Sequence, residues 1–600
     1  MKTDEKIDQI RKLMKANGID AIVVPSDDPH KSEYVAEHWQ AGKWLTGFSG
    51  SAGIAVVTLE HAILWTDFRY YIQAEEQIQG SEFVLYKLGE PDVPGFDKWL
   101  TQTLTPHCTI GMDGALFSMG SVKKIKALFE DKSFKLDIGI DFIKQLWLDR
   151  PPMPASKAFL FSEKYAGESR ADKILKIREK MESLGADYHL MVSLDDIAWT
   201  LNLRGNDVHT NPVNIAFLLF GPEHLDLFIN TDKIDETVKK ALKQDNIQMF
   251  KYSDIVDALS KIDGNKRVLI NPENTSVYLG ESINKKCRII EKPSPVVALK
   301  AIKNQIQIAH IKETAVKDGI AMVNFLFWLE HQQSDELLTE VSAAQKLFEF
   351  RKEQPGFMDN SFDPIMAYQA HSAMCHYSAT KQTNVTIGED GIFLTDSGGN
   401  YLTGTTDITR TISRTTGRSI GSCGPSRQEI EDYTLVLKGH IAVATILFPK
   451  GTRGVQIDTL ARQYLWKKGL DFGHGTGHGV GFFLCVHEGP ARISSHPVDE
   501  ALKKGMLLTN EPGIYREGQY GMRLENMILV QEAFENEFGK FLKFDQMTFC
   551  HFEKDLIDPD MMLEEEIFWL NTYHEQVYDK LSSGLKKETA RWLKQKTSPL

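Results

Sequence analysis

Cysteine is scarce in this chain and never grouped. The six thiols, Cys108, Cys287, Cys375, Cys423, Cys485 and Cys550, form no CxxC pair and no framework spacing, so they read as buried or free thiols of a reducing compartment. Long apolar runs are missing as well, and nothing approaches a membrane-spanning stretch. The N-terminus, MKTDEKIDQIRKLMKANGID, has no signal-peptide core and reads as a folded amphipathic helix. A soluble cytoplasmic protein with no membrane partner is expected. Basic runs are absent too: 69 Lys and Arg stand against 82 Asp and Glu, a net charge of −13, which argues against a nucleic-acid or anionic-lipid surface. The expected partners are small or neutral.

Six hundred residues are too many for one core, since cores stop growing at about 250–300 residues. Two proline clusters, DRPPMPAS at 149–156 and EKPSP at 291–295, punctuate the chain as connections. They divide it into 1–152, 153–296 and 297–600, the last with a helical extension from about 547. The first two pieces look alike. Each opens with an amphipathic helix ending in Gly and a short apolar strand, continues with a Trp-led segment (WLTGFSG, WTLNLRG), and later has a strand ending in Thr-Asp. The expected fold class is α/β: two duplicated α/β domains, then a larger domain of mixed helices and strands. Helices are expected over 300–331, 427–446 and 453–469. In the extension, Trp569, Leu570, Tyr573 and Val577 recur at helical spacing, a stripe that reads as core or as a partner surface.

The chemistry gathers in the third piece. If 391–396 and 405–413 are antiparallel strands with a turn centred at Tyr401–Leu402, Asp396 lies opposite Asp407, with Cβ atoms ~5 Å apart where like charges destabilise. Such a pair needs solvent, a shared proton, or a cation. Downstream lies HGTGHGVG, His474 to Gly481, followed by His487. Its glycines are too dense for a zinc-binding HExxH helix, and the strand, helix and Lys of a phosphate loop are missing. Alone it is either a metal- or substrate-binding histidine loop or a Gly-rich turn with structural histidines. Glu511 ends MLLTNEPGIY, and in YGMRLENMILV alternation points Arg523 and Glu525 to one face. Taken together, Asp396, Asp407, Glu511, Glu525 and one imidazole would balance two divalent cations. The oxygen-rich set suits Mn²⁺, Mg²⁺ or Co²⁺ better than a structural zinc.

The order D-x10-D, H-G-x-G-H-G, E-P-G and R-x-E-N resembles the pita-bread dinuclear metallopeptidases, the fold of methionine aminopeptidases, prolidases, creatinases and aminopeptidase P. The duplicated N-terminal half and the tail with WLNTYH and WLKQKTSPL resemble the three-domain, eukaryote-type cytosolic aminopeptidase P. The resemblance implies that Asp396 binds one metal, Asp407 and Glu525 bridge both, and His478 and Glu511 bind the other. It implies an active-site role for His376, substrate or oxyanion contacts for His474 and His487, and a supporting role for Arg523. Two divalent ions are implied, Mn²⁺ first, with Co²⁺ or Zn²⁺ as alternatives. A hydroxide between them would attack the Xaa-Pro bond, with Glu511 taking the proton of that water. Peptides with proline second are the implied substrates, and a homodimer the implied assembly. Prolidase has one N-terminal unit, creatinase lacks the metal set, and non-catalytic relatives generally lack several of the ligands kept here.

Overall fold

The computed structural model describes residues 1–332, 337–414 and 424–600. The chain divides into two compact units, Met1–Glu163 with Glu168–Val297, and Lys164–Gly167 with Ala298–Leu600. In the first unit Thr3–Asn17 is the expected amphipathic helix, burying Ile7, Ile10 and Met14 on one face. Gly18 stops it with φ at 65° and its N–H on the carbonyl of Met14, a left-handed conformation that strains any residue with a Cβ.

The run AIVVP follows as the strand Ala21–Pro25, buried at every position, as expected of a strand covered on both faces. It belongs to a six-stranded sheet with Ile54–Thr58, Ala62–Thr66, Val84–Lys87, Thr109–Met112 and Lys135–Asp137. The spatial order is fourth, third, second, first, fifth, sixth. A second six-stranded sheet, from Tyr188–Met191, Ala216–Phe220, Leu225–Ile229, Ile247–Phe250, Arg267–Ile270 and Arg288–Glu291, repeats that order. The parallel and antiparallel neighbours also correspond, pair for pair. The duplication legible in the sequence is therefore a duplication of topology. Each sheet carries its own core, one around Ile22, Val57 and Leu64 and the other around Leu190, Phe228 and Ile270.

In the second unit the expected long helices are Gln305–His331, Arg427–Thr445 and Gly454–Trp466. The first two are closed by reciprocal capping boxes, Asn304 with Gln307 and Ser426 with Glu429. Arg427–Thr445 is buried without a break from Asp432 to Ile441, so it runs through the core rather than over it. A six-stranded antiparallel sheet lies in the order Phe448–Pro449, Gly539–Gln546, Asn526–Asn536, Leu507–Asn510, Gly477–Gly479, Glu488–Ile493. A three-stranded sheet holds Ile365–Tyr368, Ile392–Ser397 and Ile408–Ser413.

The extension supplies the helices Glu564–Leu581 and Lys587–Lys596. Leu570, Tyr573, Val577 and Trp592 join the same core as Ile528 and Val530. Tyr573 and Trp592 are 2% and 6% exposed, and Trp569 stacks on Tyr573 at 5.4 Å, so the aromatic stripe packs within this chain. The five described cysteines are free thiols, four of them buried; Cys423 lies outside the described residues. No described helix is long and apolar enough to cross a membrane.

Candidate metal centre

Asp396 sits on the middle strand of the three-stranded sheet, and its cross-strand partner is Thr409 rather than the expected Asp407. The hairpin turns one residue later than a Tyr401–Leu402 apex requires, because Tyr401 pairs with Gly404. Tyr401 is fully buried, its hydroxyl donating to Asp318 Oδ1 at 2.8 Å and its ring against Phe357. A side chain anchored in the core cannot sit at a hairpin apex. Asp407 stands two residues before Thr409, just ahead of the strand Ile408–Ser413, and opens toward the same side.

Asp407, His478 and Glu525 bring one ligand atom each to within 4.8 Å of one another. His478 Nε2 lies 3.4 Å from Asp407 Oδ2 and 3.7 Å from Glu511 Oε1. The other nitrogen, Nδ1, faces the carbonyl of Gly479 at 2.9 Å. That contact places a proton on Nδ1 and leaves Nε2 as the nitrogen turned toward the carboxylates, the one that would take a cation on giving up its own proton. The hydroxyl of Thr509 accepts from the His478 N–H at 3.1 Å and donates to Glu511 Oε1 at 3.3 Å, tying two of the expected ligands together. Glu525 departs from the continuous strand expected for it. It falls at the break between Tyr520–Arg523 and Asn526–Asn536, where its N–H reaches the carbonyl of Thr409 at 3.2 Å and its Oε2 accepts from the Thr409 hydroxyl at 2.7 Å.

Arg523 braces the opposite side. Its guanidinium donates to Asp396 Oδ2 at 2.5 Å, to the Thr409 hydroxyl at 3.2 Å and to the Tyr515 hydroxyl at 2.6 Å. Four buried or nearly buried carboxylates then face one guanidinium. Burial pushes Glu511 up to about 6 and Glu525 well above its ordinary range, with Asp407 adding to both shifts. Burial raises Asp396 as well, against the pull of Arg523. Burial works against a charged His478, yet Asp407 and Glu511 outweigh it and push the imidazole up to about 9. Burial is the larger cause of the three carboxylate shifts and neighbouring carboxylates add to it, while the His478 shift comes from the carboxylates themselves; a divalent cation would supply the opposing charge. Oδ1 of Asp396 is buried and has no hydrogen-bond partner among the described residues. An orphaned carboxylate oxygen beside an Asp, His, Glu cluster of hard donors fits a divalent ion.

Two of the three further histidines are linked to this cluster, and the third adjoins a residue that contacts Arg523. His487 stands edge-on to His478, ring centroids 4.2 Å apart. His474 Nε2 meets the Tyr515 hydroxyl at 2.8 Å, so His474, Tyr515, Arg523 and Asp396 form one hydrogen-bonded line. Half-buried His376 follows Cys375, whose carbonyl accepts from Arg523 at 3.3 Å. Sequence reasoning missed Thr409, Thr509 and Tyr515. The two threonines sit two residues from Asp407 and Glu511, on the alternation that carries the ligands; Tyr515 left no comparable signal.

Comparison with known proteins places these features in a group. Residues 309–532 match metallopeptidase family M24, 540–600 the C-terminal region of peptidase M24, and 6–137 and 149–307 each match a creatinase/prolidase N-terminal domain. The chain is 38% identical to the probable Xaa-Pro aminopeptidase P of Laccaria bicolor, over 100% of this chain and 94% of that protein. It is 36% identical to Xaa-Pro aminopeptidase 1 of Dictyostelium discoideum, over 99% and 96%. Among solved structures it matches the X-prolyl aminopeptidase of Caenorhabditis elegans, described as a cytosolic enzyme with a di-nuclear active site. That match has 32% identity and a TM-score of 0.94 over 100% of both chains. Two related α/β domains followed by a pita-bread domain, the fold expected from the sequence, is the fold observed.

Proposed function

The chain belongs to the metallopeptidase family M24, among its Xaa-Pro aminopeptidases, and from that premise we propose that its acidic cluster holds two divalent cations and releases the first residue of peptides with proline second. The observation that carries this reading is the convergence of Asp407, His478 and Glu525 within 4.8 Å. Asp396 would hold one cation, Asp407 and Glu525 both, and His478 and Glu511 the other. Bound there, the cations would supply a water of lowered pKa and polarise the scissile carbonyl.

The chain's own groups account for the proton traffic. Glu511, whose Oε1 lies 3.7 Å from His478 Nε2 at the cluster, is the carboxylate assigned to accept the proton of the attacking water. Breaking the C–N bond leaves the proline nitrogen as a secondary amine that must gain a proton, and Glu511 can return it. His487, beside His478, and His376 are the groups assigned to the developing oxyanion and the leaving nitrogen. His474 acts through Tyr515, and Arg523 holds Asp396 in place and opposes its protonation. Proline preference has a physical basis, because an Xaa-Pro bond has no N–H and a ring-fixed φ, which a general peptidase cannot grip.

In this reading residues 1–152 and 153–296 are two N-terminal domains and 297–600 is the catalytic domain with its extension. Mn²⁺ is the preferred ion, on donor chemistry. A cytoplasmic location is proposed, supported by the cytosolic description of the C. elegans enzyme; a homodimer, the assembly the family resemblance implies, is proposed with it and tested by sedimentation. The deciding experiment is hydrolysis of Arg-Pro-Pro by cation-stripped protein with and without Mn²⁺, beside Arg-Pro and a peptide without proline second. Release of Arg from the tripeptide alone, restored by Mn²⁺, is expected. Cleavage mainly of the dipeptide would make the protein a prolidase, and no turnover with cation bound would make it a binding protein.

A further inference from the structure

We propose that the C-terminal extension sets the cation affinity of the site through Arg410, a positioning residue that pins Thr409 and Glu525 from behind; this rests on the two-cation reading above. Arg410 is fully buried and follows Thr409 on the strand Ile408–Ser413, so the two side chains leave opposite faces. Its five N–H groups make six polar contacts, Nη2 sharing its two hydrogens among three acceptors. Two go to the main-chain carbonyls of Thr409 and Glu525, at 2.8 and 2.6 Å. One goes to Asn526 Oδ1 at 2.8 Å. The other three reach the extension: the carbonyls of His551 and Cys550 at 3.0 and 2.8 Å and the Tyr573 hydroxyl at 3.1 Å. The Phe552 ring lies 4.3 Å away, against the guanidinium.

None of these six partners is a carboxylate. A buried charge without a counter-charge is costly, and apolar residues alone could dock a helical tail. What the planar fork adds is geometry. Glu525 sits at a break between strands, so no ladder holds its peptide. Its N–H rests on Thr409 and its carbonyl on Arg410. With the guanidinium seated on three groups of the extension, the peptides of Thr409 and Glu525 cannot rotate. Their side chains, joined at 2.7 Å, are thereby aimed at the cation position. Outer partners of this kind are worth about 10–100-fold in metal affinity.

The test titrates cation-free full-length protein with Co²⁺, by calorimetry and visible absorption, and records Tm. The parent is compared with Arg410→Lys, Tyr573→Phe and Val577→Ala. Lysine keeps the charge but cannot fork; phenylalanine removes one hydroxyl on the extension side. Val577→Ala opens a cavity in the same helix at a residue absent from Arg410's partners. Expected are a loss of Co²⁺ affinity of about tenfold or more for Arg410→Lys and about threefold for Tyr573→Phe, each with an altered spectrum. Val577→Ala should lower Tm and leave affinity and spectrum as in the parent. Parent affinity in Tyr573→Phe, or an equal loss in Val577→Ala, overturns the proposal. Should Arg410→Lys fail to fold, the other two variants decide. A parent protein that takes up no Co²⁺ overturns the two-cation reading itself, a result distinct from variants that bind as well as the parent.

Discussion

Replacing Gly477 by alanine would put a methyl group 2.0 Å from the carbonyl oxygen of Thr509 and 2.8 Å from its carbonyl carbon. Real Cβ atoms essentially never approach a heavy atom closer than 3.0 Å, and here the obstacle is main chain rather than a side chain that can swing away. The strands Gly477–Gly479 and Leu507–Asn510 must part by about 1 Å, the difference between those distances. Overpacking on this scale costs about 1–3 kcal/mol of stability. The displacement falls on the site, since His478 is the next residue and the Thr509 hydroxyl links it to Glu511. A misplacement of about 1 Å costs roughly 100-fold in rate, or about 2.7 kcal/mol of transition-state stabilisation. Gly475→Ala is the control two residues away, where the new Cβ meets nothing nearer than 3.5 Å. The assay is kcat/KM for Arg-Pro-Pro at saturating Mn²⁺, with Tm for each variant. We expect a loss of about 100-fold for Gly477→Ala and a change within about twofold for Gly475→Ala. Parent kcat/KM in Gly477→Ala would refute the close-approach argument, and equal losses in both would show that the motif needs glycine for some other reason.

Burial holds His440 and His574 neutral, each pushed down to about 3. Below about pH 6.5 the unfolded chain takes up protons that the folded chain refuses, so stability is whole above that pH and falls toward pH 3, by about 1.4 kcal/mol per unit for each histidine. His574→Gln should flatten the slope of urea-unfolding free energy between pH 6.5 and 5 by about one proton; an unchanged slope would contradict the assignment. Arg351→Met would leave buried Asp318 with the Tyr401 hydroxyl but without its guanidinium partner, at a cost of about 3–5 kcal/mol. Adding Asp318→Leu should recover part of that loss in denaturant unfolding, and a harmless Arg351→Met would show that the pair is dispensable. Cation binding should raise Tm by mass action, by about 2.7 kcal/mol of stability at a free ion concentration 100 times Kd. A Tm unmoved by an ion that demonstrably binds would mean that the ion sits elsewhere.

The acidic cluster was legible in outline because the chemistry demands rare residues in a fixed order and carboxylates in apolar strands stand out as costly; three of the five residues proposed as ligands, Asp407, His478 and Glu525, converge within 4.8 Å. The repeated order of the two N-terminal sheets was legible for another reason, since each copy keeps its own helix, glycine stop and apolar strand. Register was not legible. Whether Asp396 faces Asp407 or Thr409 turns on one residue at the hairpin apex, which is decided by the anchoring of Tyr401 against Asp318 and Phe357, residues remote in sequence. The strand break at Glu525 was hidden for a similar reason, because its peptide is held by Thr409 and Arg410. The aromatic stripe of the extension gave helical spacing but not destination; Tyr573 and Trp592 proved to be core.

A ribosome delivers this protein in a telling order. Both N-terminal sheets are complete by Glu291, before any ligand residue has been made, and such units fold during synthesis. Asp396 is polymerised about 180 residues ahead of Tyr573, an interval of about 10–40 s at ordinary elongation rates. On the two-cation reading, the nascent chain through that interval carries the acidic residues without the extension groups that seat Arg410, and cation loading would wait for the extension. A product cut short by a premature stop within the extension would retain Asp396, Asp407, His478, Glu511 and Glu525 and still be poorly equipped to capture metal.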